Sequence, residues 1–258
     1  MNFEKIKLFL IDLDGTTYLD NNLIDGVVET LDEIKKQGKN FCFVSNNSSL
    51  SKSEYLKKFK KLGLKILNNE LITSSEQMVS YLKEKKLHNS VYLLGTNSLV
   101  KEFKKVGVVL KNSAKTVVLA YDKELTYKKL TNASTLISNG ANYFATHLDK
   151  VCPSTDKILP DVGSFIKLIF EATGKNPAVI GGKPTKEFGK FILSKYNFKP
   201  SEICFIGDRL YTDILFAKNN KFKSILVLTG ETHKEDLEKS DIKPDLILNT
   251  ISDLKNLI

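Results

Sequence analysis

A chain of 258 residues, 41% hydrophobic and 27% charged, is long enough to bury a full core and has the composition of an ordinary globular protein. Its net charge of +9 does not argue for nucleic-acid binding: Arg209 is the one arginine, and the excess is lysine on solvated helix faces such as Lys57-Lys58 and Lys60-Lys61, whereas nucleic-acid sites favour arginine for bidentate and stacking contacts. Cys42, Cys152 and Cys204 are odd in number and far apart, which points to a reducing compartment without a disulfide framework.

The N-terminal residues Met1 to Lys5 reach an acidic motif before any long apolar stretch, so neither a signal peptide nor a membrane span is expected and the location expected is cytoplasmic. The first element is the apolar run Leu8-Phe9-Leu10-Ile11, which ends in Asp12-Leu13-Asp14-Gly15-Thr16. The run predicts a fully buried strand. Residues two apart on a strand point the same way, so the carboxylates of Asp12 and Asp14 are expected to project together from its end. Two like charges that close need a metal ion, a shared proton or a polar opening. A strand end over the crevice of an open α/β sheet supplies the opening. The plainer alternative is a strand followed by an Asp-Gly turn.

An amphipathic helix follows, with Val27, Val28, Leu31 and Ile34 at helical spacing and Gly38 closing it. A strand over 41–44 leads into Ser45-Asn46-Asn47-Ser48. A helix over about 51–62 carries Tyr55, Leu56 and Phe59 on one face and ends at Gly63. Strands over 91–94, 116–121 and 142–146 alternate with helices near Lys101 and over 127–138. The run Ala178-Val179-Ile180 leads into Gly181-Gly182-Lys183-Pro184. A helix with Phe188, Phe191 and Ile192 precedes a strand over 203–206, which leads into Gly207-Asp208-Arg209-Leu210-Tyr211-Thr212-Asp213. A helix near 213–219 and strands over 224–228 and 246–248 complete the chain. The alternation predicts a doubly wound α/β fold, a Rossmann-like parallel sheet with right-handed crossovers. If the four runs before the polar clusters are parallel strands of one sheet, those clusters converge on one crevice.

These four motifs, in this order, resemble the haloacid-dehalogenase superfamily of phosphohydrolases. The resemblance implies an α/β cap of type II inserted after the serine motif, since 46–182 holds far more residues than one crossover needs. The expected division is core over 1–77, cap over 78–177 and core again over 178–258. Ala145-Thr146-His147-Leu148-Asp149, Cys152-Pro153 and Pro160-Asp161-Val162-Gly163-Ser164 look like the IIA subgroup, which includes N-acetylglucosamine-phosphate and p-nitrophenyl-phosphate phosphatases. Familiar members carry Asn where this chain has His147, which bears on substrate choice.

By that resemblance, Asp12 is the nucleophile and a ligand of Mg²⁺, giving an aspartyl-phosphate. Asp14 would ligate through its backbone carbonyl and serve as general acid and base with its side chain. Asp208 fits the third protein ligand, and Asp213 an outer position. Taken singly, Asp208 could be a helix N-cap and Asp213 a first-turn carboxylate. Phosphate would be gripped by the Ser45 hydroxyl, by backbone N–H groups around Asn46 and Gly15, and by the charge of Lys183. His147 and Asp149 are expected on a cap loop facing the substrate; a turn histidine with an ordinary hydrogen bond is the alternative. Arg209 and Tyr18 are left outside the site.

The function expected is Mg²⁺-dependent hydrolysis of a small phosphate monoester, with cap-mediated homodimers among the resembling proteins. A mutase is the chemical alternative, but its cap usually lies between the Asp pair and the serine. A non-catalytic phospholigand-binding protein would have no use for Asp12. A carbon–halogen hydrolase would not need Asp14.

Overall fold

The computed structural model describes residues 2–153 and 157–258. In chain order its strands and helices are β1 (Leu8–Ile11), β2 (Tyr18–Leu19), β3 (Asn22–Leu23), α1 (Val27–Lys36), β4 (Asn40–Ser45), α2 (Lys52–Lys61), β5 (Leu71–Thr73), α3 (Ser74–Glu84), β6 (Val91–Leu94), α4 (Asn97–Lys105), β7 (Thr116–Leu119) and α5 (Tyr127–Ser138). There follow β8 (Asn142–Ala145), β9 (Val151–Cys152), β10 (Leu159–Pro160), α6 (Val162–Thr173), β11 (Val179–Ile180), α7 (Lys186–Lys195), β12 (Ile203–Gly207), α8 (Leu215–Asn219), β13 (Lys223–Val227), α9 (Lys234–Lys239) and β14 (Leu246–Leu248). They form two compact units, one of Met1–Ser45, Leu56–Ile72 and Lys183–Ile258, the other of Asn46–Tyr55 and Thr73–Gly182.

The first unit is built on a six-stranded sheet of order β14-β13-β12-β1-β4-β5, parallel from β14 to β4. All four residues of β1 are buried, as the unbroken apolar run predicts for a central strand covered on both faces. Leu8, Leu10, Cys42, Val44, Ile203 and Phe205 turn to one face, where Phe188 and Ile192 of α7 and Phe216 of α8 pack on them. Alternate residues take the other face: Phe43 stacks on Phe59 of α2 with ring centroids 5.1 Å apart. The core is thus two layers of side chains, one on each side of the sheet.

The second unit has its own parallel sheet, of order β11-β8-β7-β6. Met78 and Leu82 of α3 and Leu99 and Phe103 of α4 pack on Val91, Val118 and Phe144. Ala133 and Ile137 of α5 and Phe165, Ile166 and Ile169 of α6 pack with Val117, Leu119, Tyr143 and Ala145. Period-2 alternation along β7 and β8 thereby feeds two separate cores.

One expectation is corrected. Three of the four motif-bearing runs are neighbours in the first sheet, but the run at Val179–Ile180 is not. It pairs with Phe144 and Ala145 of β8 in the second sheet. Apolar content alone does not say which sheet a two-residue strand joins, and here both residues are only half-buried at its edge. Helix α3 is also absent from the expected set. Thr73, whose hydroxyl accepts from the Glu76 N–H at 3.2 Å, caps it.

Candidate active site

Parallel pairing in register sets Ile11 beside Phe43 on one side and Ile206 on the other. The residues at or just past these strand ends, Asp12, Ser45 and Asp208, therefore emerge at the same edge of the sheet, the carboxyl edge at which open α/β sheets bind ligands. The Asp12 N–H continues the ladder by donating to the Ile206 carbonyl at 2.9 Å. The Thr17 hydroxyl donates to the Asp12 carbonyl at 2.6 Å, pinning the turn that follows. Asp14 is half-buried in that turn, bridged to Tyr18. Tyr18 is itself buried, with Lys58 Nζ over its ring at 3.6 Å.

Gly15 has φ of 87°, and a Cβ there would stand 2.5 Å from Asp208 Oδ2. Both the backbone conformation and the close approach require glycine. Asp208 Oδ2 accepts from the Glu231 N–H at 2.7 Å, while its Oδ1 is buried without a hydrogen-bond partner. Asp213 lies in a turn of π-helix over 210–214, and its Oδ2 accepts from the Arg209 N–H at 3.1 Å. Lys183 brings these charges together. Its ammonium pairs with Asp12 Oδ1 and, at 2.7 Å, with Asp213 Oδ1. Arg209 pairs outward with Glu231, Nε to Oε2 at 2.8 Å.

The electrostatics follow from burial. Desolvation pushes the Asp12 carboxyl well above the ordinary range, Lys183 opposes this, and Asp213 and Asp208 add to it. Asp208 is pushed up to about 7, by desolvation first and then by the charge of Asp213. Burial works against the charge of Lys183, but Asp12 and Asp213 outweigh it and hold the ammonium above the ordinary lysine range. Asp12 and Asp213 share the Lys183 ammonium, and Asp208 is raised by the charge of Asp213 despite Arg209 and Lys183, so a further positive charge beside these carboxylates would be favourable.

Asp12, Asp208 and Asp213 each offer an oxygen, all within 4.8 Å of one another, so the three could hold a metal ion. The unpartnered Asp208 Oδ1 and the oxygen-only donor set fit a hard divalent cation. Asp213 lies beside Asp12 and Asp208, but Lys183 and the Arg209 N–H engage its two oxygens.

In the second unit, the Asn46 carboxamide donates to both oxygens of Asp149, at 3.2 and 3.1 Å. His147 is fully buried in the loop that follows β8, with Nδ1 3.0 Å from Thr146 Oγ1 and Nε2 3.0 Å from Asp161 Oδ1. Asp161 also caps α6 through the Val162 N–H, at 2.6 Å. Sequence reasoning missed Thr17, Thr229 and the Glu231 backbone: Thr229 Oγ1 donates to the Gly15 carbonyl at 2.6 Å. The signal was Thr229-Gly230 directly after the apolar run that ends at Leu228, one residue past β13, a fifth polar cluster ending such a run.

The chain is similar to known proteins over nearly its whole length. Residues 9–109 match a haloacid dehalogenase-like hydrolase model, and residues 180–254 a HAD-hydrolase-like model. Phosphoglycolate phosphatase 2 of Arabidopsis thaliana is 33% identical, over 99% of this chain and 94% of its own length. An acid sugar phosphatase of Staphylococcus saprophyticus is 32% identical, over 98% and 96%. The crystal structure of 4-nitrophenylphosphatase from Thermotoga maritima superposes with a TM-score of 0.95 at 39% identity, covering 98% of both chains. The chain belongs to the haloacid dehalogenase-like hydrolases. It is an enzyme of that family, a phosphomonoesterase with the mixed α/β fold of these phosphatases. Among the described residues, no helix is long and apolar enough to cross a membrane.

Proposed function

We propose that the enzyme hydrolyses a small phosphate monoester through an aspartyl-phosphate on Asp12, with Mg²⁺ as its metal. The observation that supports this most is the shared environment of Asp12, Lys183, Asp208 and Asp213. Asp12 lies at a strand end, held by Thr17 and Ile206, so its carboxylate is presented as a nucleophile at little cost in reorganisation. Lys183 holds a fixed positive charge against the transferring phosphoryl group, with Ser45 and the backbone near Asn46 as further donors. Asp14 protonates the leaving oxygen and then takes a proton from the attacking water.

Bound Mg²⁺, held by Asp12, Asp208 and the Asp14 carbonyl with Asp213 in an outer place, would shield the negative phosphate from the negative nucleophile. The substrate falls in the class of small metabolite esters and aryl phosphates that the named relatives suggest. Residues 78–177 act as the inserted cap, and selection of the leaving group is assigned to His147 and Asp149. With both ring nitrogens of His147 engaged, that residue acts by shaping the loop that carries Asp149. A cytoplasmic enzyme, as a homodimer, completes the reading. The experiment that tests it is phosphate release from a panel of phosphorylated metabolites and 4-nitrophenyl phosphate, with and without chelator. Absence of any metal-dependent release would overturn it.

A further inference from the structure

The chain passes between its two units four times, and two of these passages adjoin residues assigned above to phosphate. Ser45 is followed by Asn46, and Lys183 is preceded by Gly182. Within the second unit, both Asn46 and Gly182 are tied to the first turn of α3. The Ser74 hydroxyl donates to the Asn46 carbonyl at 2.6 Å. The Gly182 N–H donates to Gln77 Oε1 at 2.8 Å. Neither tie is a surface contact: Ser74 is fully buried and Gln77 is 6% exposed.

The two tied positions also lie against each other. Gly182 has φ of 67°, and a Cβ there would stand 2.5 Å from Asn46 Oδ1. A Cβ at Gly181 would stand 2.6 Å from Gln77 Oε1. Only glycine leaves room for this approach. Met78 and Leu82 supply the packing of α3, so core formation does not account for a buried serine and glutamine on its first turn. Buried polar side chains are retained where their hydrogen bonds are made, and here those bonds go to the two junctions.

We propose that Ser74 and Gln77 are positioning residues for the phosphate-gripping pair, Ser74 for Ser45 and Gln77 for Lys183. The inference rests on the phosphatase reading above. Anchoring the backbone one residue after Ser45 and one residue before Lys183 fixes the stems from which the two side chains reach. A misplacement of about 1 Å in such groups costs on the order of 100-fold in rate. Neither residue of α3 does chemistry, so their loss weakens the grip on phosphate and leaves the acid–base groups as they were.

The test compares the intact enzyme with Ser74→Ala and Gln77→Met, each checked by thermal melting to be folded at the assay temperature. Turnover of 4-nitrophenyl phosphate and inhibition by inorganic phosphate are measured with Mg²⁺ present. The expected result is a fall of about tenfold in kcat/KM and a comparable rise in the inhibition constant for phosphate, with an unshifted pH profile. Folded variants with both constants within about twofold of the unaltered enzyme would overturn the inference. So would activity lost only in proportion to the unfolded fraction, with phosphate inhibition unchanged. Failure of the unaltered enzyme to release phosphate is a different result, because it removes the phosphatase reading itself.

Discussion

Lys183 Nζ lies 2.7 Å from Asp213 Oδ1, and the same ammonium pairs with Asp12, so one buried cation holds two carboxylates from different loops. Removing it leaves both anions buried and unpaired. Loss of one partner from a buried pair costs about 3–5 kcal/mol in comparable cases. Lys183→Met is therefore expected to lower the thermal midpoint and, with metal present, to cut kcat by about 10²–10³. Melting curves with assays on 4-nitrophenyl phosphate check both halves. A variant with unchanged kcat would remove Lys183 from the phosphate site.

Asp12→Asn keeps the side-chain volume but removes the nucleophilic anion. Turnover is expected to disappear while the circular dichroism spectrum stays that of the folded protein. Asp14→Asn should also be severe, yet able to accumulate labelled phosphoenzyme, because activation of the hydrolytic water is what it loses. Label on Asp14→Asn but not on Asp12→Asn is the pattern sought. Near-normal phosphate release by Asp12→Asn would end the covalent mechanism.

Metal binding should strengthen with pH. A metal needs its carboxylates ionised, and burial raises the carboxyl of Asp12 and pushes that of Asp208 up to about 7. A raised folded-state value means that these carboxyls favour the metal-free fold while protonated. That contribution is complete below the ordinary carboxylate range and is lost as pH rises through the raised values. Added Mg²⁺ takes over the compensation over the same span. The rise in melting temperature on adding Mg²⁺ should therefore be small near pH 5 and larger near pH 8. Activity should vanish with EDTA and return with Mg²⁺, while Ca²⁺, which prefers more ligands at longer range, should restore little. An Mg²⁺ shift independent of pH would place the metal elsewhere.

Much of this arrangement is legible in the sequence because buried parallel strands leave long apolar runs and their ends leave polar clusters. The runs at Leu8, Phe41 and Ile203 announced three adjacent strands and, with them, Asp12, Ser45 and Asp208. The strand at Val179 announced a position but not a partner, since hydrophobicity carries no label for one sheet over another. Helix α6 shows the opposite case. Val162, Phe165, Ile166 and Ile169 have clean helical spacing, so this helix has a local signal directly behind the Asp161 motif although it is not among the elements expected above. The burial of His147 had no local signal at all. It depends on Asp161, fourteen positions away, whose carboxylate the fold brings to 3.0 Å from the ring.

That burial shapes the last prediction. Asp149 is half-buried and takes two hydrogen bonds from Asn46, whereas His147 is sealed between Thr146 and Asp161. If the pair selects the leaving group, the two substitutions should differ in a defined way. Asp149→Ala should reorder activity among phosphorylated metabolites with little change in melting temperature. His147→Ala should reorder it too, but with a stability loss of about 1–3 kcal/mol, because the Asp161 carboxylate and the Thr146 hydroxyl lose a buried partner. Activity on a small aryl phosphate, which asks little of any leaving-group pocket, should be largely spared in both. Each variant is assayed on the same substrate panel below its own melting transition, so that stability does not masquerade as selectivity. A uniform loss across every substrate after Asp149→Ala would assign this carboxylate to holding Asn46 for the core chemistry, and selection of the leaving group would have to be sought in other residues of the second unit.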